Sequence, residues 1–177
     1  MKNLTVPRGK YTYGPEPTII GLPIIGVGSR IGSFCSIAPG LQYILRGKHM
    51  VSWVSTYPFQ VMWKMPEVPL NDLPLYYPIV IGNDVWIAQN VKIIQGVTIG
   101  DGAVIGTESF VTSDVPPYAF VGGHPAKVIR FRFSEDQIKS LLRISWWNWN
   151  DDKIRKIVPF LCSGNIDNFI NIAEKMI

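Results

Sequence analysis

Ten aliphatic residues of this chain fall on a six-residue grid: Ile19, Ile25, Ile31 and Ile37, then Ile81, Ile87, Ile93, Ile99, Ile105 and Val111. The position after each is usually tiny (Gly26, Gly32, Ala38, Gly82, Ala88, Gly100, Gly106), and the position four after each is small or Val (Ser29, Cys35, Val85, Val91, Val97, Ala103, Ser109, Val115). A period of six fits neither the 3.6 of an α-helix nor the 2 of a flat strand. It fits a coil of short strand–corner units, each pointing one branched side chain inward and each turning at a corner that needs a small residue. Three units per turn make this a coil of three to four turns.

The grid breaks once. Ile37 and Ile81 lie 44 residues apart, which is not a multiple of six. Residues 43–78 must therefore leave the coil, and long excursions of this kind are usually functional. Trp53, Tyr57, Phe59, Trp63, Tyr76 and Tyr77 make it too aromatic for a disordered loop. It reads as an ordered flap that builds a site.

At 177 residues the chain is one coil domain, residues 1–133, with an appendage, residues 134–177. Residues 1–18 read as a Gly- and Pro-rich lead-in. In the appendage the period becomes helical. Ser134 with Gln137 forms a capping box ahead of Ile138, Leu141 and Leu142. Asn150 caps a second helix that Pro159 should stop, and a third begins near Asn165. The appendage is expected to cover strand edges at the coil's open end.

Composition removes several function classes. The net charge of +4 is mild and scattered, so no nucleic-acid stripe is expected. No apolar run approaches 18 residues, and the first ten residues contain nothing like a signal peptide. Together with two cysteines, Cys35 and Cys162, both read as packed thiols, this points to the cytoplasm. Two histidines cannot supply the three ligands of a catalytic zinc site. No metal is expected. An 18-residue lead-in cannot hold a nucleotide-binding domain. A non-catalytic solenoid would not need the aromatic flap.

His49 lies in the excursion, where it is either an exposed loop residue or a proton carrier. His124, in VGGHPAK, suits a structural or ligand-lining role better than a catalytic one.

The ordered motifs IGSFCSI, His49, WVSTYPF, IGNDVWI, VGGHPAK and WWNW resemble the hexapeptide-repeat acyltransferases. They are most similar to the xenobiotic acetyltransferases that modify chloramphenicol and streptogramins, and to relatives that O-acetylate sugars and glycans. The resemblance implies an all-β solenoid, a left-handed parallel β-helix, built into a homotrimer with acetyl-CoA sites between subunits. It implies that His49 is the catalytic base. By the same resemblance Trp86 lies by the active site, Gly106 and Thr107 face the pantetheine arm, and Lys127 and Arg130 suit the CoA phosphates, with His124 nearby. Trp53, Tyr57, Phe59 and Met62 are the candidate acceptor wall.

Two departures stand out. His124 replaces an Asn of the family motif. The stretch ahead of the repeats is shorter than in the antibiotic-modifying members, which favours a sugar or glycan acceptor, with an antibiotic as the alternative.

Overall fold

The computed structural model describes residues 5–20, 28–45, 52–65 and 77–177. Among the described residues twelve strands, most of two or three residues, wind into three sheets. The first sheet holds β2 (Arg30–Ile31), β5 (Val80–Ile81) and β8 (Thr98–Ile99). The second holds β3 (Ser36–Ile37), β6 (Trp86–Ile87), β9 (Val104–Ile105), β11 (Ala119–Gly123) and β12 (Ala126–Phe131). The third holds β1 (Thr18–Ile20), β4 (Gln42–Ile44), β7 (Lys92–Ile94) and β10 (Phe110–Val111). Every pairing is parallel except the β11–β12 hairpin.

The register explains the grid. Ile81 pairs with Ile99, Ile87 with Ile105 and Ile93 with Val111, so each partner lies one eighteen-residue coil away. Three six-residue units make that coil, one per sheet. All six side chains are at most 1% exposed and stack along the axis. Burying each is worth roughly 1.5–3 kcal/mol, and this column is the core.

Four sequence expectations need correction. Tyr43 does not open the excursion: it pairs with Ile93, is fully buried, and occupies the grid position after Ile37. An aromatic was not recognised in an aliphatic column. The departure starts beyond buried Leu45, and the coil resumes at buried Ile79.

The lead-in, too, belongs to the coil. Arg8 bridges in parallel to Ile31 and Tyr13 to Ser36, and β1 follows, so residues 8–20 wind one turn ahead of Ile31. The second sheet is thus laid down at five levels: Tyr13, β3, β6, β9 and β11. Gly14 (φ +119°) permits this, since a Cβ there would strike the carbonyl of Ile37. Ile25 lies outside the described residues. Ile19 pairs on the third sheet and Ile31 on the first.

The helices do not cap the open end. They are α2 (Glu135–Ile144), α3 (Asp151–Leu161) and α4 (Ile166–Glu174), with a 3-10 turn at Trp146–Asn148. They lie along the corner between the first and second sheets. Phe34, Asp84, Gly102 and Tyr118 occupy that corner at successive levels, all with φ between +54° and +68°. Tyr118 enters the core of the helices, and Phe34 packs on Trp146 with ring centroids 4.8 Å apart. The corner is where the coil's side chains project, so an amphipathic helix finds its apolar partners there.

The capping reading holds. Ser134 and Gln137 form the reciprocal box, and the side chains of Asn150 and Asn165 accept from Lys153 N and Asn168 N. Pro159 does not stop α3, which runs to Leu161. Its missing N–H faces solvent one turn from exposed Arg155, where water can replace the lost bond.

Candidate active site

Residues that precede the buried column by one point outward. On the second sheet these are Ser36, Trp86, Val104 and Phe120, aligned across four neighbouring strands. Arg130 pairs with Phe120 on the hairpin, its guanidinium carbon 5.3 Å from the Phe120 ring centroid. Together with Phe34, Asp84, Val85 and Arg132 they line a groove of about 300 Å³. Trp86 is half exposed and forms part of that groove. The structure therefore places Trp86 and Arg130 in the lining of one groove.

One wall of the groove is charged. An Arg132 Nη atom lies 3.6 Å from an Asp84 carboxylate oxygen and donates to the Gly102 carbonyl at 2.6 Å. Burial pushes the Asp84 carboxyl up from its ordinary range, and Arg132 partly offsets this.

A second group gathers at the next corner. Gly106 N donates to the Val121 carbonyl at 2.9 Å, and Ser109 Oγ donates to the Gly106 carbonyl at 2.6 Å. A Cβ on Gly106 would come within 3.7 Å of Gly122 Cα. Thr107 is exposed beside it. His124, at the hairpin tip, packs its ring 4.9 Å from Phe110. Lys127 pairs with Gly122 and is exposed. Gly106, His124 and Lys127 thus share one end of the β11–β12 hairpin, and Arg130 lies toward its other end.

The excursion forms a third group. Tyr57 and Phe59 meet at 4.7 Å and Phe59 and Trp63 at 4.8 Å, edge to face, around the short helix α1 (Phe59–Met62). Trp53 and Phe59 are half-buried, and Met62 and Tyr57 are exposed. His49 lies outside the described residues.

Ser36, Val104, Phe120, Asp84 and Arg132 were missed in the sequence. The signal was present for two of them: Ser36 and Val104, like Trp86, each stand one residue before a grid Ile. Among the described residues no cluster of three or more His, Cys, Asp or Glu could hold a metal. Both cysteines are free, and Cys162 is exposed rather than packed, because it follows the last turn of α3.

A three-sided parallel coil of six-residue units is what a hexapeptide repeat builds. The bacterial transferase hexapeptide (six repeats) family matches residues 78–113. A chloramphenicol acetyltransferase of Agrobacterium fabrum is 49% identical over 141 residues, covering 77% of this chain and 67% of that protein. A probable macrolide acetyltransferase of Lysinibacillus sphaericus is 45% identical over 150 residues, covering 82% and 83%. The crystal structure of a maltose O-acetyltransferase from Clostridium difficile 630 superposes with a TM-score of 0.51 at 27% identity, over 72% of this chain and 59% of that one. The chain belongs to the hexapeptide-repeat acetyltransferase family.

Proposed function

We propose that the protein transfers the acetyl group of acetyl-CoA to a hydroxyl of an antibiotic, of the chloramphenicol type first. The observation that supports this acceptor is the 49% identity to a chloramphenicol acetyltransferase across 77% of the chain. It reverses the preference drawn from the sequence, where the short lead-in favoured a sugar or glycan. That lead-in is itself a turn of the coil. An acceptor of the streptogramin or macrolide class is the near alternative.

In this reading the coil is left-handed and three chains surround a threefold axis, with each cleft between neighbours. The half-exposed Trp86 and the exposed Ile129 and Phe131 supply apolar surface that such packing would bury. Light scattering should then give a mass near three times 19.9 kDa. Acetyl-CoA lies along the second sheet. Gly106, Thr107 and His124 meet the pantetheine arm, and Lys127 and Arg130 meet the phosphates. The excursion, with Trp53, Tyr57, Phe59 and Met62, walls the acceptor. The protein acts in the cytoplasm.

His49, as neutral imidazole, accepts the acceptor's hydroxyl proton as the oxygen attacks the thioester carbonyl carbon. Backbone N–H groups stabilise the oxyanion. Its collapse breaks the C–S bond, and His49 returns the proton to the leaving thiolate. Two features support His49: it is the only histidine of the excursion, and the other, His124, is packed on Phe110. Replacement His49→Ala should lower kcat by roughly 10²–10⁴ while acetyl-CoA binding persists. Near-normal turnover in that variant would refute the assignment.

A further inference from the structure

Behind the groove lies a second cavity, of about 370 Å³, between the corner column and the helices. Its lining is mostly apolar: Phe133, Leu141, Trp146, Ile154, Leu161 and Phe169 take part. An engineered apolar cavity of about 150 Å³ already holds a benzene-sized molecule. This one has room for a substituted aromatic.

Tyr118 is part of that lining, and its hydroxyl, in a residue 2% exposed, is buried and makes no hydrogen bond among the described residues. The ring cannot easily turn away, because it lies against Gly102, where any Cβ would strike it, and under the Arg132 guanidinium. An orphan buried hydroxyl is costly, because its desolvation is not repaid. Burial pushes the Tyr118 phenol well above its ordinary range, which keeps it an O–H donor. The missing partner is therefore an acceptor. The rim is formed by the α3–α4 connection, Cys162, Ser163 and Gly164.

We propose that this cavity is a binding site for a small, uncharged, mainly apolar molecule carrying one carbonyl or ether acceptor, which takes the Tyr118 hydrogen bond while its apolar body fills the space under the helices. It is separate from the groove of Trp86, with which it shares only Phe34, Asp84 and Arg132 as a common wall.

Cys162 provides the readout, since it is exposed at the rim while Cys35 is buried. The rate of Cys162 alkylation by N-ethylmaleimide would be followed by intact mass on the full chain, with acetophenone or its hydrocarbon isostere isopropylbenzene added. Acetophenone should slow labelling saturably, and more tightly than isopropylbenzene by roughly three- to tenfold, the worth of one hydrogen bond. Tyr118→Phe keeps the ring over Gly102 and should erase that preference while both still protect. Leu161→Trp, at the half-buried rim, should abolish protection by either. The site is refuted if neither compound protects Cys162 up to its solubility. Equal protection by both in the wild type, or an undiminished preference in Tyr118→Phe, would refute the assigned ligand chemistry. None of these readouts depends on acetyl transfer.

Discussion

Arg132 and Asp84 face each other at 3.6 Å on the corner where the coil meets its helices. Each is about one-third exposed, and the guanidinium also holds the Gly102 carbonyl and lies over the rings of Tyr118 and Phe133. Replacement Arg132→Met should cost about 1–2 kcal/mol, less than a fully buried pair because solvent screens it. The measured Tm should fall by several degrees. An unchanged Tm would show that the helices do not depend on this contact.

The same pair sets a pH dependence. Burial raises the folded-state pKa of Asp84 above its unfolded value near 3.8, Arg132 opposing. A raised carboxyl contributes stability below the unfolded pKa, and that contribution is lost as pH rises through the folded pKa. Asp84→Asn removes the titration. Its Tm relative to wild type should therefore improve from pH 4 upward across the raised range and then level off. A difference that stays flat with pH would contradict the burial assigned to this carboxyl.

Gly102 sits in the corner column at φ +68°, with the Tyr118 ring against its α-carbon. Gly102→Ala combines left-handed strain of about 1–2 kcal/mol with a clash against the buried Tyr118 ring. We expect a loss of at least about 2 kcal/mol and a Tm lower by roughly 4–8 °C. Gly164, where an added Cβ would meet nothing within 4 Å, is the matched control. Gly164→Ala should change Tm little. Equal effects from the two would mean that the corner tolerates a side chain.

The two thiols should separate cleanly. Burial pushes the Cys35 thiol up, and it donates to the Gly82 carbonyl at 3.1 Å inside the core. Cys162 is exposed. A maleimide should add once to the native protein, at Cys162, and twice in denaturant. Rapid native labelling of Cys35 would show that the coil opens locally.

Much of this architecture could be read from period alone. A fixed spacing of six, held from Ile81 to Val111, has few physical solutions, so the buried column and the eighteen-residue coil were legible. So were the helix caps, because Ser134, Asn150 and Asn165 act through contacts only three residues away. Features that depend on contacts distant in sequence were hidden. Tyr43 fills an aliphatic position between Ile19 and Ile93, its partners in the adjacent coils. Residues 8–20 form a turn only by bridging to Ile31 and Ser36 and pairing with β4. The Asp84–Arg132 wall joins residues 48 positions apart that no local pattern links. Of the site, Trp86 and Arg130 meet on one groove, whereas the grouping of Gly106 with the hairpin end emerges only from the close approach of Gly106 to Gly122.

The most direct measurement is acceptor-dependent release of free thiol from acetyl-CoA by the purified wild-type chain. Chloramphenicol should produce saturable release, matched one to one by an acetylated product of mass 42 Da above the parent, with only background release when acetyl-CoA is present alone. Background rates with chloramphenicol, a streptogramin and a macrolide, alongside saturable release with maltose or a galactoside, would contradict the antibiotic reading and restore the sugar acceptor.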